Sequence, residues 1–191
     1  HFLYNALNTI SFICRENAER ARELLLTLAS YYRQTLENEQ YMLNLHTELY
    51  HINTYLELEK ARFEEKLQVT MDIEEDLDCM VPSFILQPLV ENAIRYGADR
   101  NGIRTVIICA CYAKDTYGHK CVHIAVKDNG KGFPKEMLEQ FYCGENGNRV
   151  GLKNVHERLK SIYGNESGLL LQNTQEGACV SFDIPEATHA E

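Results

Sequence analysis

Four short stretches of the chain carry residue types at spacings that could do chemistry. At the start, "HFLYNALNTI" puts His1 and Asn5 one helical turn apart. An imidazole with an ordinary pKa of about 6.5 is largely neutral and nucleophilic at pH 7. An amide one turn along can hydrogen-bond that ring or orient a water. In "VENAIRYG", Glu91, Asn92 and Arg95 interrupt an apolar helical run, with Asn92 and Arg95 on one side. "KDNGKGFP" sets Asp128 at the end of a β-rich run, and Gly130 and Gly132 after it permit close backbone approach or positive φ. Asp-Asn-Gly alone also makes an ordinary turn. "GNRVGLKNV" is a glycine-bounded loop entering a helix, and free N–H groups at such a terminus suit phosphate oxygens.

Elements of two kinds must position these groups. Leu3, Leu7, Ile10 and Cys14 form one helical stripe, with no Ser, Thr, Asp or Asn before it, so the chain reads as starting inside a longer helix. Leu24, Leu28 and Tyr31 form a second stripe, and Leu45, Leu49, Ile52 and Leu56 a third, with the polar break "NEQYMLN" between them. This pattern predicts a helical hairpin over residues 1–66 whose stripes also meet a second copy of the chain. Beyond Phe63 the pattern changes. "KLQVTMDIE" alternates as a half-buried strand, and "VPSFILQPLVENAIRYG" predicts a helix with Pro82 near its start and Gly97 at its end. "RTVIICACYA" and "CVHIAVKDN" are β-rich, with Cys109 and Cys111 on one face of their strand. "GLKNVHERLKSIYG" is a helix closed by Gly164, and "GLLLQNTQEGACVSFDIP" a hairpin turning at "TQEG". The order β–α–β–β–α–β–β predicts a mixed sheet with helices on one face. The fold class is therefore α+β, with an α/β unit over residues 67–191.

Composition narrows the function classes. The net charge of −9 argues against a nucleic-acid surface, and an apolar content of 45% is ample for a core. Seven cysteines show no C-x-x-C pair or zinc spacing and read as free thiols in a reducing cytosol. No window approaches the roughly 18 apolar residues of a membrane span, so a membrane anchor is expected only upstream. Glu57, Glu59, Lys60 and Arg62 read as a solvated helix face, although Arg62 stands where it could meet the second unit. The remaining histidines, among them His51 and His156, read as surface or core residues.

In their order, the Asn helix, the Asp-x-Gly-x-Gly turn after a strand and the glycine loop into a helix resemble the N, G1 and G2 boxes of the Bergerat ATP-binding fold. Histidine kinases, gyrase, Hsp90 and MutL share that fold. The resemblance covers residues from about 67 to 186 and implies ATP and Mg²⁺ as ligands. It implies that Asp128 accepts from the adenine amino group, that Gly130 and Gly132 let the base lie against the backbone, and that Asn92 gives its amide oxygen to Mg²⁺. Arg95 and Lys153 would offset triphosphate charge, and Tyr96 would border the nucleotide. Lys131, Gly147, Arg149, Gly151 and Leu152 complete the implied ATP site, with residues 133–150 as a lid. Arg149 stands where this loop often has glycine. Hydrolysing relatives carry a glutamate one turn before the Asn; that position is Pro88 here, and Glu91, about 100° round the helix, reads as solvated. "HFLYNALNTI", "YLELEKARF" and "LQPLVENAI" together resemble the LytS-like branch of sensor histidine kinases. That likeness implies His1 as phosphoacceptor, Asn5 as orienter of the ring, a homodimer through the helices and a response-regulator receiver domain as partner. It places the chain on the cytoplasmic side of the membrane. The alternative is a nucleotide-gated interaction module of the same superfamily, an Hsp90-like clamp or an anti-sigma-type serine kinase. Pro88 disfavours the first and the His-headed helix the second. Many other histidine kinases place Asp or Glu directly after the reactive His; Phe2 stands there, so no proton acceptor is named.

Overall fold

The computed structural model describes residues 1–37, 40–115, 117–143 and 150–185. In chain order its elements are α1 (Phe2–Ile13), α2 (Ala18–Glu37), β1 (Met42–Asn44), α3 (Leu45–Phe63), β2 (Leu67–Ile73) and β3 (Met80–Pro82). There follow α4 (Gln87–Tyr96), β4 (Arg104–Lys114), β5 (Lys120–Asp128), α5 (Lys135–Cys143), α6 (Val150–Tyr163), β6 (Leu170–Asn173) and β7 (Ala178–Pro185).

The first unit packs three helices, one for each of the three stripes. The stripes read on α2 and α3 are buried as expected. On α1 the inward residues are Ala6 and Ile10, while Leu3 and Leu7 are exposed. The segment is apolar on more than one side, so periodicity alone could not choose its buried face. The break "NEQYMLN" also holds more than polar loop, because β1 lies within it and pairs antiparallel with β3. This small sheet ties the helical unit to the second unit.

In the second unit a five-stranded sheet runs β2-β4-β5-β7-β6, with β2 parallel to β4 and the other neighbours antiparallel. On one face Ile108, Val126 and Val180 lie in register, as do Ala110, Ile124 and Phe182, and all six are buried. Leu89, Val90 and Ala93 of α4, with Leu152, Val155 and Leu159 of α6, join that core. Cys109 and Cys111 pair with Ala125 and His123 on the opposite face. All seven cysteines are unpaired thiols.

The helix expected from Pro82 starts instead at Gln87. Pro82 closes β3, a turn over 83–86 follows with Phe84 at φ 57°, and Pro88 takes the first turn of α4. A proline there loses no hydrogen bond, because first-turn N–H groups have no helical partner. The turn is gripped from the helical unit. Glu48 of α3 is fully buried and accepts from the N–H groups of Phe84 (2.9 Å) and Leu86 (3.0 Å). Arg158 of α6 donates to the carbonyls of Ser83 (2.6 Å) and Tyr41 (3.2 Å), and Ser83 Oγ donates to Gln40 O. Where α4 begins is thus set by tertiary contacts, with the apolar run following them.

Candidate functional site

Two adjoining cavities share a wall made by one side of α4. Among the described residues the first is bounded by Pro88, Glu91, Asn92, Arg95 and Tyr96 of α4 and by Val150, Gly151 and Leu152 at the start of α6. Asn92 is buried among apolar α4 residues, whereas Arg95 and Glu91 are exposed. An amide oxygen is a hard donor of the kind Mg²⁺ accepts. Among the described residues no group of three or more His, Cys, Asp or Glu gathers into a metal cage. A metal here would take its other ligands from phosphate and water. The first turn of a helix favours phosphate oxygens, and α6 brings Val150, Gly151 and Leu152 to this wall.

Asp128 stands behind the end of α4 and is not in the wall of this cavity. Its Oδ1 accepts from Gly130 N (2.9 Å) and Ala178 N (3.3 Å). Three glycines let the chain close around it. A Cβ at Gly97 would lie 2.5 Å from that of Asp128. One at Gly130 would lie 2.6 Å from Gly97 Cα, and one at Gly177 2.7 Å from Gly130 N. The glycines after Asp128 therefore face protein: Gly132, at φ 75°, has the Asn173 amide where its Cβ would be. Asn92, Arg95, Tyr96, Gly151 and Leu152 meet in one cavity. Asp128, Gly130, Lys131, Gly132 and Lys153 lie outside its wall; of these, Asp128 and Gly130 adjoin Gly97, which follows Tyr96. Gly147 and Arg149 lie outside the described residues. Of the 133–150 segment expected as a lid, residues 133–143 are anchored. Phe133 and Phe141 are buried, and Tyr142 Oη accepts from Leu171 N at 2.9 Å.

The second cavity is a groove lined by His1, Phe2 and Asn5 of α1's start, Tyr55, Glu59, Arg62 and Phe63 of α3, and Glu91, Ile94, Arg95 and Arg104 across from them. Glu91 and Arg95, one turn apart, border both cavities. The Asn5 amide lies 2.9 Å from His1 Nδ1. Phe2 stacks edge-on against Tyr31 and tilted against Tyr55, each with ring centroids 5.0 Å apart, which fixes the backbone beside His1. The Gln87 amide donates both hydrogens, one to Tyr31 Oη (2.6 Å) and one to Glu91 Oε1 (2.7 Å). Burial raises the Tyr31 hydroxyl above its ordinary range, so it stays protonated.

Two residues read as solvated behave otherwise. Glu59 is buried, 3.4 Å from Arg62, and burial pushes its carboxyl up despite the attraction of that guanidinium. Arg62 and Arg104 lie 4.6 and 4.2 Å from the Phe63 ring centroid, and Arg104 Nε donates to Ile94 O at 2.9 Å. Glu48 and Gln87 were missed in the sequence. An acid or amide at a helical position looks solvated until its partner in another element is known.

Residues 1–67 match the histidine kinase family model, and residues 82–188 match that of histidine kinase-, DNA gyrase B-, and HSP90-like ATPases. The sensor histidine kinase YpdA of Escherichia coli K12 is 40% identical over 97% of this chain and 32% of its own length. Sensor protein LytS of Bacillus anthracis is 39% identical over 100% of this chain and 33% of its own. The chain thus spans about a third of these curated relatives. The histidine kinase ThkA, solved in complex with response regulator protein TrrA, is similar in fold. It gives a TM-score of 0.57 at 18% identity over 98% of this chain and 60% of that one.

Proposed function

Because the chain belongs to the histidine kinase-, DNA gyrase B- and HSP90-like ATPases and carries the histidine kinase segment of LytS-type sensors, we propose that it is the catalytic core of a sensor histidine kinase. It binds Mg-ATP, phosphorylates His1 and passes the phosphoryl group to an aspartate of a receiver domain. The shared wall of Glu91 and Arg95 carries this reading, because it sets His1 in the cavity next to the one bounded by Asn92 and the start of α6.

Each residue has a part that its setting supports. Asn92 holds Mg²⁺ with phosphate and water, and the metal supplies charge neutralisation on the triphosphate. Arg95 faces both cavities and offsets phosphoryl charge at either end of the transfer. Transfer through a loose transition state needs in-line placement and charge neutralisation above all. Asn5 orients the imidazole. Asp128, next to Gly97 and outside the cavity wall, reads the adenine amino group, and Gly151, Leu152, Lys153, Lys131, Gly147 and Arg149 complete the nucleotide site. ThkA's complex with a response regulator supports the partner class. The exposed apolar side of α1 supports a homodimer. No helix among the described residues is long and apolar enough to cross a membrane. A place at the cytoplasmic membrane surface rests on the sensor proteins to which the chain is similar.

Incubation with γ-labelled ATP tests the proposal. Acid-labile, alkali-stable label that vanishes in His1→Ala is the expected result. Label on serine, or free phosphate alone, would overturn it.

A further inference from the structure

The groove beside His1 is cationic in an acidic chain. Three guanidiniums, Arg62, Arg95 and Arg104, line it beside two carboxylates, while the whole chain carries a net charge of −9. Glu59 pairs with Arg62 at 3.4 Å, and the Gln87 amide holds Glu91 at 2.7 Å. Among the described residues neither Arg95 nor Arg104 forms an ion pair. Arg95 stands in the wall shared with the other cavity, whereas Arg62 and Arg104 belong to the groove alone.

Arg104 is set as a fixed donor. Its Nε donates to Ile94 O at 2.9 Å and its Nη1 to Gly102 O at 3.0 Å, and the guanidinium lies 4.2 Å from the Phe63 ring centroid. Carbonyls and a ring orient the plane without neutralising its charge. A guanidinium carries five N–H bonds, and these contacts leave both on Nη2 free of a protein acceptor. Arg62 lies 4.6 Å from the same ring, with its side chain 35% exposed, and meets Glu59 through Nη1 alone. Two like charges on one ring repel, and an anion held by both relieves that repulsion. The groove encloses about 310 Å³, at the lower end of small-ligand pockets. That is room for a phosphoryl group with a few waters.

Resting on the kinase reading above for how the group arrives, we propose that this groove is the holding site for the phosphoryl group once it is bonded to His1, with Arg104 as its fixed donor and Arg62 as its second. Phosphoryl oxygens accept paired N–H bonds from a guanidinium, the strong charge-assisted geometry. Arg95 stands at the wall the group crosses, and Arg104 and Arg62 hold it on the far side. The site therefore favours phosphorylated His1 over ATP at equilibrium.

Chemical phosphorylation separates this site from the kinase reading. Phosphoramidate transfers its phosphoryl group to an imidazole nitrogen and releases ammonia, with neither ATP nor catalysis by the chain. Wild type, Arg104→Lys and Arg62→Lys are treated with it, and His1→Ala identifies the His1 signal. Phosphorus NMR then reads each chain folded and in urea. Lysine keeps the charge but lacks the fork. The folded wild-type signal should stand apart from the unfolded one, and each substitution should move it toward the unfolded position. The Arg104 Nε–H resonance, assigned by its loss in Arg104→Lys, should shift when wild type is phosphorylated and stay in place in His1→Ala. A second arm uses ATP and ADP at a fixed ratio. The ratio of phosphorylated to free His1 at equilibrium should fall about tenfold or more in Arg104→Lys, the range for a hydrogen bond to a charged group, with affinity for a fluorescent ATP analogue unchanged. A His1 phosphorus signal at the same place folded and unfolded, or unmoved by both substitutions, overturns the site. So does an equilibrium ratio within about threefold of wild type, or a fall matched by lost nucleotide affinity. A wild-type chain that gives these signals with phosphoramidate but never labels from ATP supports the site and overturns the kinase reading.

Discussion

On the proposed reading the carboxylate of Asp128 has a recognition task beside its structural one, and the two can be separated. Its Oδ1 is engaged by Gly130 N and Ala178 N, which holds the end of β5 to the start of β7. Asp128→Asn keeps an oxygen for those donors and replaces the other by a donor, which cannot accept from an adenine amino group. Melting should change little, whereas affinity for an ATP analogue should fall about tenfold or more. That corresponds to roughly 1.5–3 kcal/mol for a hydrogen bond to a charged group, and fluorescence titration reads it. Gly97 gives the opposite pattern. An added methyl there would lie 2.5 Å from the Asp128 Cβ, in a place where neither backbone can give way cheaply. Gly97→Ala should destabilise by about 1–3 kcal/mol, the usual range for overpacking, seen as a lower denaturant midpoint.

Helix α3 grips the turn before α4 with two titratable groups whose pH dependences oppose each other. Glu48 is buried and its carboxyl is raised, chiefly by desolvation against the pull of the turn's N–H groups. A raised acid contributes stability that is full below its unfolded value of about 4.3 and is lost as pH climbs through the folded value. The melting advantage of wild type over Glu48→Gln should therefore be largest near that pH and shrink toward neutrality. His51 stacks on Phe84 at 5.6 Å, and burial lowers its pKa. Its contribution is full above about 6.5 and is lost as pH falls through the folded value. The advantage of wild type over His51→Asn should shrink on acidification, and calorimetric melts across pH separate the two. The same junction shows what the sequence could reveal. Strand alternation in "KLQVTMDIE" and the stripes of α2 and α3 follow from local period, and those elements lie where that period puts them. Local period carries no record of a turn held by an acid 36 residues away, so the start of α4 and the strand β1 went unread. For the site, His1, Asn92 and Arg95 stood out as polar groups in apolar runs. Gln87 and Glu91 gained meaning only once the two cavities could be seen to share a wall.

At the scale of the whole molecule, the two units are joined by buried and hydrogen-bonded contacts: the β1–β3 pair, Glu48 on the turn, Tyr31 on Gln87 and Arg158 on Tyr41 O. These contacts use the inward sides of α2 and α3, on which α1 packs, and α1 leaves apolar groups on the outside. Leu3 (42% exposed) and Leu7 (46%) stand one turn apart on α1, with Tyr4 and Phe12 more exposed still. A run of this kind favours association, because each large apolar side chain taken out of water is worth about 1.5–3 kcal/mol. The face lies on the helix that begins beside His1, so a second copy docked there stands next to the reactive groove. The substitution Leu3→Glu with Leu7→Glu places charges on that face without touching the buried Ala6 and Ile10. Sedimentation equilibrium should then show the wild-type chain as a dimer at micromolar concentration and the double variant as a monomer. Helical content should be preserved, and so should nucleotide affinity, because Asn92 and Arg95, the residues proposed to bind, line a cavity within one chain. A double variant that remains dimeric would move the interface off α1, and one that loses nucleotide affinity would mean that the second copy helps to build the cavity.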